Sequence, residues 1–377
     1  MRTRARWRDV AQTAVQPFAR RIDRDALVPE QVIDALRVAG AFASGFPETL
    51  GGPSGSAADP VVAALDHGAM HEAMGRASAS VQGLLNVHHM GGSAVARWGN
   101  ATQKDRWVPQ LCSGSLLCGI AITEPDVGSD IAAVKTMAKA TGGGFEITGE
   151  KAWITCGAAA DLFVLVAASD GGPVALLLPK TTPGLHICPI DDMLGCRGYM
   201  MARLVLDGVW LPGDHVLGRS GFGTSHVAAT GLESGRYNLG WGCVGLADAA
   251  LGVAMDHVKT REQFGQPIGE FQLVQRLIAT MMTDIHAARV MCESAGVARG
   301  QKALHATKEA TMAKYFASQM VNRVARDAQQ LLGAQGIGPD TPMAMYFRDA
   351  RVMEVIEGTT QVLETMIARY GYAETMG

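Results

Sequence analysis

The chain has 377 residues, and 33 Lys plus Arg against 36 Asp plus Glu leave a formal charge of −3. With no basic excess and no Lys/Arg block a nucleic-acid partner is not expected, and a hydrophobic share of 48 % excludes global disorder. No apolar run approaches the roughly 18–20 residues of a membrane span, and the basic start MRTRARWRDVAQ lacks the apolar stretch of a signal peptide; the expectation is a cytoplasmic protein of two or three domains, at about 150 residues each.

Residues 1–116 read as an N-terminal helical domain. Val28, Val32, Leu36 and Ala39 keep a helical spacing, as do Val61, Leu65 and Ala69 beyond the turn-rich insert PETLGGPSGSAADP (47–60). The stretch Val81 to Trp98 is apolar and glycine-punctuated, which suits a buried helix pair. From 117 to 222 short runs of β-formers alternate with turn signals: CGIAITEP (118–125), FEITGEKAWIT (145–155), LFVLVAA (162–168), VALLLP (174–179), LHICPI (185–190) and ARLVLDGVWLP (202–212). Short strands with no helix between them predict an antiparallel barrel or sandwich. From 223 to 377 the helical period returns. Leu239, Cys243, Leu246, Ala250, Ala254 and Val258 form one stripe, and Gln272–Ala298 and Glu309–Leu332 have the length of bundle helices. The fold class is therefore α+β and multidomain, in the order helical, β, helical.

Seven cysteines, at 112, 118, 156, 188, 196, 243 and 292, form no CxxC pair. They read as small buried hydrophobes in a reducing compartment. Glycine supplies 45 of the 377 residues, about 12 % against a usual ~7 %, and permits close packing and close approach to a ligand.

His67 and His71 lie four apart with Asp66 and Glu72 beside them, a spacing that places two imidazoles on one metal. No third ligand stands at a motif distance, so a solvated polar face and no metal is the expectation. His88 and His89 point to different faces in any regular element, one buried and one exposed. There is no GxSxG elbow and no Ser-His-Asp set, which leaves a hydrolase without support.

Two segments carry other chemistry. In AITEPDVGSD (121–130) hydroxyls and backbone amides share a glycine-containing turn, the donors that a phosphate or a flavin edge needs. In EKAWIT (150–155) a Trp-x-Thr on a strand offers a flat face and a hydroxyl on the same side. Either piece alone also reads as a turn and a packed Trp. In RDARVMEVIEGTTQV (348–362) Glu357 precedes Gly358 and interrupts a helical apolar pattern. An acid beside glycine reads as a helix end; held among Val355, Ile356 and Val362 it reads as a base with a raised pKa.

TEPDVGSD, the later WIT, RxxFGxPIxxFQ (Arg261 to Gln272), QLLGAQG (330–336) and IEGTTQ, with PETLGG near the start, occur in this order and spacing in the acyl-CoA dehydrogenase flavoprotein family. The chain resembles that family over essentially its whole length. The resemblance implies an N-terminal helical domain, a middle β-domain, a C-terminal four-helix bundle, non-covalent FAD and assembly as a homodimer or homotetramer. By position, Ile122 and Thr123 resemble flavin-ring contacts, Ser129 a pyrophosphate contact, Trp153 the residue shielding the flavin and Thr155 the one bonding near N5. Arg261, Phe264, Gln272, Gln330 and Gly333 resemble contacts to the cofactor of a partner subunit, and Thr359 and Gln361 lie near its phosphates and adenosine. Glu357 matches the catalytic base; the alternative position for that base in some branches is here Gly235. Ser129, Arg236 and Gly358 fall where the family meets substrate.

The implied reaction removes the α-proton of an acyl thioester and passes the β-hydride to flavin N5, with an electron-transferring flavoprotein or another acceptor as electron partner. In LGCRGYMMARL (194–204) Tyr199 and Met201 replace the Ser and Thr common in the stretch lining the pantetheine and nucleotide path. With RYNLGWGCVGLADA (236–249) this looks most like the branch that acts on carrier-protein-bound acyl groups in polyketide or non-ribosomal peptide pathways. A free CoA thioester, an oxygen-using oxidase or hydroxylase, and a silent binding homologue stand as alternatives. The acyl group itself is not readable from these residues.

Overall fold

The protein is described by a computed structural model covering residues 2–375 apart from Ala57, so Met1 and one position of the 47–60 insert lie outside the described residues. Helices come first: α1 (Arg2–Val10), α2 (Ala19–Asp25), α3 (Glu30–Val38), α4 (Pro60–Ala77), α5 (Ala79–Trp98) and α6 (Ala101–Ser113). Side-chain caps set several of their starts. Asp59 accepts from the Val62 amide ahead of Pro60, Ser78 caps α5, and Asn100 with Gln103 closes a capping box on α6. The expected helix pair over Val81–Trp98 is one unbroken helix. Its glycines mark close approach instead of a break: a Cβ on Gly83 would stand 2.0 Å from the Tyr199 ring, and one on Gly91 2.4 Å from Cys118 Sγ.

The middle region forms two open four-stranded sheets, in the orders β1 (Cys118–Ala121), β4 (Leu162–Ala167), β5 (Val174–Pro179), β8 (Val216–Leu217) and β2 (Met137–Thr141), β3 (Gly144–Ile154), β7 (Ala202–Pro212), β6 (Leu185–Pro189). It is a sandwich, and the barrel alternative fails because neither sheet closes. The sheets are also not wholly antiparallel: β1 runs parallel to β4, since the β2–β3 hairpin intervenes and returns the chain in its original direction. Strand β2 escapes sequence reading because MAKAT buries only Ala138 and has no β-branched run. Phe163, Leu165, Leu176, Leu204 and Val209 fill the space between the sheets.

A π-helical turn at Gly223–Ala228 leads into α7 (Ala229–Thr260), which packs with α8 (Gln272–Gly300), α9 (Ala306–Leu332), the short α10 (Ala334–Ile337), α11 (Met343–Met353) and α12 (Thr360–Thr375). All six residues of the Leu239–Val258 stripe are buried. The stretch Gly223–Thr260 has the length and hydropathy of a membrane span, yet 78 % of its most apolar window is covered by protein. It is the core helix on which α4, α5, α8 and α9 converge. Gly245 permits that convergence: a Cβ there would lie 1.9 Å from the Glu72 carbonyl of α4. Five of the seven cysteines are buried and all are free. Arg348 joins the blocks by pairing with Asp23 of α2 while donating to the Leu194 carbonyl at 3.0 Å, and neighbouring Asp349 accepts from the Cys196 amide at 2.6 Å.

The histidine expectations need correcting. His67 and His71 are not a solvated face, and both His88 and His89 are buried, because α4 and α5 are covered on nearly every side. His67, His71 and His89 bring ring nitrogens within 4.8 Å of one another, but Ser44 Oγ and Asn238 Oδ1 already bond the two nitrogens of His67. Burial holds all four imidazoles neutral, His88 down to about 3 and His89 to about 4. An unfolded histidine titrates near 6.5, so between about pH 6.5 and 4 the unfolded chain binds more protons and each buried ring loses stability as pH falls. Relative to wild type, His88→Gln should therefore gain about 1.4 kcal/mol as the pH is lowered from about 7.5 to 5.5, whatever its packing cost. Urea unfolding of both proteins at the two pH values checks this; an unchanged difference would sink it.

Candidate active site

The turn after β1 and the end of β3 are fastened by a buried ion pair. Lys151 Nζ donates to Glu124 Oε1 at 2.7 Å and to the Ile122 carbonyl at 3.0 Å, with Lys151 fully buried and Glu124 5 % exposed. Glu124 also accepts from the amides of Lys135 and Thr136 at 2.7 and 2.9 Å. Burial alone would raise the Glu124 pKa; these donors outweigh it and the carboxylate is held below its usual range. The Ala152 amide donates to the Thr123 carbonyl at 2.9 Å, which seats the TEPDVGSD turn along β3.

Beside this staple the backbone leaves strand geometry. Trp153 has φ 58° and Cys156 φ 57°, so the strand alternation expected to put Trp153 and Thr155 on one side does not operate. The left-handed residue does it instead. The indole is 54 % exposed and lines a cavity of about 890 Å³, and Thr155 lines the same cavity. Among the described residues Thr155 Oγ1 reaches only the Met201 thioether, at 3.7 Å, which leaves it open to a stronger partner.

The opposite wall is the segment between α11 and α12. Glu357 has φ 57° and Gly358 φ 94°, a left-handed pair that only a strong local constraint holds in a non-glycine residue. Two buried cations supply that constraint. Arg236 Nε of α7 donates to the Glu357 carbonyl at 3.2 Å, and Lys314 Nζ of α9 donates to the Gly358 carbonyl at 2.8 Å. Asn86 Nδ2 of α5 reaches Glu357 Oε1 at 3.3 Å, while Oε2 is buried without a partner among the described residues. Burial pushes the Glu357 carboxyl up to about 7, against the opposing pull of Arg236, Lys314 and Asn86. Burial likewise brings Lys314 down to about 8. Gly235 leaves the space the acid occupies, since a Cβ there would stand 2.6 Å from Glu357 Oε2.

The cavity thus joins Ile122, Thr123, Ser129, Trp153 and Thr155 on one wall to Arg236, Glu357, Gly358 and Thr359 on the other. Arg261, Phe264, Gln272, Gln330, Gly333 and Gln361 do not line it; all are exposed, Phe264 at 95 %. Met201 lines the cavity, but Tyr199 does not: it is 1 % exposed and packed over Gly83. Sequence reading passed over Asn86 and Lys314. Their signal was a polar side chain on an otherwise buried helical stripe, Lys314 between Ala310, Ala313 and Ala317. Chemically, the cavity sets a desolvated carboxylate of near-neutral pKa across from an exposed flat ring and free hydroxyls.

Family models described as acyl-CoA dehydrogenase N-terminal, middle and C-terminal domains match residues 2–115, 119–209 and 222–371. An acyl-CoA dehydrogenase of Bacillus subtilis is 35 % identical, covering 96 % of this chain and 95 % of that protein. The human mitochondrial short-chain specific acyl-CoA dehydrogenase is 32 % identical, covering 96 % and 87 %. Among solved structures, butyryl-CoA dehydrogenase from Megasphaera elsdenii superposes with a TM-score of 0.93 at 27 % identity, covering 98 % and 96 % of the two chains. FkbI, for biosynthesis of the methoxymalonyl extender unit of the Fk520 polyketide, gives 0.87 at 29 %, covering 98 % and 99 %. The prolyl acyl carrier protein oxidase AnaB gives 0.90 at 25 %, covering 97 % and 98 %.

Removing the ammonium of the Glu124–Lys151 pair leaves a buried carboxylate with amide donors alone. Lys151→Met should cost about 3–5 kcal/mol and lower the thermal midpoint, and adding Glu124→Gln should recover part of the loss. A single variant that melts with the wild type would remove the pair from its role in holding the turn.

Proposed function

The chain belongs to the acyl-CoA dehydrogenase family, and from that premise we propose that it oxidises the Cα–Cβ bond of a carrier-protein-bound acyl thioester, with FAD as cofactor and Glu357 as base. The observation that carries this reading is Glu357, which lines the cavity on a left-handed turn, with its carboxyl desolvated, raised to about 7 and Oε2 unpartnered among the described residues. An ordinary carboxylate near 4.3 is a feeble base for a carbon acid, and desolvation brings it toward the pKa that proton abstraction near neutrality needs.

The opposite wall fits FAD. An indole left 54 % exposed forfeits burial that a planar ring laid on it would restore. Thr155 has a hydroxyl to give to a ring edge, and Thr123 and Ser129 add donors in a glycine-containing turn. When bound, FAD supplies the acceptor for the β-hydride. Glu357 Oε2 takes the α-proton. The left-handed turn at Glu357–Gly358 fixes the direction of the carboxylate, and a backbone amide beside Glu357 would polarise the thioester carbonyl and stabilise the charge developing on its oxygen. Val87, Met90, Ile356 and Val362 line the cavity with apolar surface that keeps water from the reacting carbons.

A carrier-protein substrate is supported by the likeness to FkbI and AnaB and by Met201, a thioether where the family commonly has a hydroxyl. The names of the curated relatives favour a free CoA thioester as the second reading. We assign the exposed set around Arg261, Phe264 and Gln272 to contact with a second copy of the chain, and an electron-transferring flavoprotein or similar acceptor to reoxidation.

Anaerobic bleaching of the flavin by a panel of acyl-carrier-protein and acyl-CoA thioesters tests the reading. Glu357→Gln should keep its FAD and reduce it about 10²–10⁴-fold more slowly. For the wild type the rate should climb as pH rises through about 7, because only the ionised base accepts the proton. Equal bleaching by a free CoA ester moves the substrate to the second reading; a Gln variant as fast as wild type overturns the role of Glu357.

A further inference from the structure

Where α4, α5 and α7 cross, next to the Glu357 turn, polar side chains are packed out of reach of solvent. Gln82, Asn86 and His89 stand at i, i+4 and i+7 on one face of α5. That face meets His67 and His71 of α4 and Asn238 of α7, which lies one turn beyond Gly235. None of these six residues is more than 4 % exposed.

The bonds already made fix the protons. A carbonyl only accepts, so His89 Nε2, 3.2 Å from the Ala41 carbonyl, carries the proton and Nδ1 is bare. Gln82 Nε2 donates to the Asn238 carbonyl at 3.3 Å and to His71 Nδ1 at 3.3 Å. His71, kept neutral by burial, therefore has its proton on Nε2. His67 donates from Nε2 to Asn238 Oδ1 at 2.9 Å and accepts the Ser44 hydroxyl at Nδ1, also at 2.9 Å. Among the described residues this leaves two unpartnered donors, His71 Nε2 and Asn238 Nδ2, and three unpartnered acceptors, Gln82 Oε1, Asn86 Oδ1 and His89 Nδ1. Buried polar atoms are nearly always paired, so a mixed set calls for an occupant that both donates and accepts. The dimensions suit water and not a metal. One ring nitrogen each of His67, His71 and His89 lie within 4.8 Å of one another. Two bonds of ~2.85 Å meeting on one water span about 4.6 Å, whereas nitrogens on one tetrahedral zinc stand about 3.4 Å apart.

We propose that this crossing binds internal water, and that the water holds the Asn86 amide in the orientation from which Nδ2 serves Glu357 Oε1. His71, His89 and Asn238 are then positioning residues for the base. This rests on the reading of Glu357 as that base. With Oδ1 bonded to water the amide cannot turn over; turned over, it would aim an oxygen at the carboxylate and withdraw the donor that reaches it. The Asn86 bond, at 3.3 Å, favours the ionised acid against the effect of burial. The other charged and titratable groups about Glu357 are Arg236 and Glu233 of α7, Lys314 of α9, Tyr370 of α12, and Glu354, which is paired with Arg351. None of them belongs to the cluster, so a change at His71 reaches the acid through Asn86.

Two measurements on the FAD-loaded protein test the proposal. A high-resolution crystal structure should show ordered water bridging Asn86 Oδ1 to the cluster and within hydrogen-bond distance of His71 Nε2 or Asn238 Nδ2. A dry cluster overturns it, and so does an anomalous peak marking a metal ion. The pH midpoint of flavin reduction by thioester then separates positioning from packing. His71→Leu removes a donor and should raise that midpoint by about half a unit to one unit, because the Asn86 bond that favours the carboxylate is weakened. His71→Gln, whose amide N–H can stand near the lost Nε2–H, should restore it. A Leu variant that is only less stable, with the wild-type midpoint, overturns the positioning role, as does a Gln variant shifted as far as Leu. If no thioester bleaches the flavin, the base reading and the positioning role fall together, while diffraction still decides the water site.

Discussion

An acid can act on a carbon-bound proton near neutrality only if it is taken out of water, and a desolvated acid has to be held by something other than a counter-ion on its oxygens. Here the hold is on the backbone. Arg236 and Lys314 bond the carbonyls of Glu357 and Gly358, not the carboxylate, so the charge of the acid is supported at a distance while Oε2 stays free. A direct ion pair would have fixed the acid too, but would have pulled its pKa down and occupied the oxygen that is left unpartnered among the described residues. The left-handed conformation of Glu357 is the cost of this arrangement, of the order of 1–3 kcal/mol.

The three blocks of the chain are arranged around that turn. Asn86 comes from the N-terminal helices, Gly235 and Arg236 from the core helix, and Lys314 from the helix packed on it. Arg348 and Asp349, just upstream, tie the same segment to Asp23 and to the Leu194–Cys196 stretch. The facing wall is built on a second buried charge, Lys151, which again works by satisfying oxygen atoms at a turn. Buried cations are rare because an unpaired one is costly, and each of these has hydrogen-bond acceptors that would otherwise go unmet.

Between the two walls lies a cavity of about 890 Å³, lined in part by residues of α5 and α7. The close crossing of α4 on α7 at Gly75, Gly242 and Gly245 is part of the same geometry: it lets the core helix sit deep enough for its polar residues to reach Glu357.

The sequence by itself determined the order of the three regions and most of the long helices and strands, and it marked Glu357 as an acid that interrupts a helical apolar pattern, because periodic burial and linked motifs are local patterns along the chain. It also marked Trp153, Thr155 and the TEPDVGSD turn, which the fold brings to one cavity with Glu357. The tertiary structure decided what local pattern does not encode. It made Val81–Trp98 one helix, since its glycines serve neighbours distant in sequence. Four histidines became buried rings, since burial depends on what covers a helix and not on its own spacing. The middle region stayed an open sandwich with one parallel pair, since closure and strand direction depend on how distant segments meet. Asn86, Arg236 and Lys314 lie on three helices far apart in the chain, and only packing brings their donors within hydrogen-bond reach of a single turn.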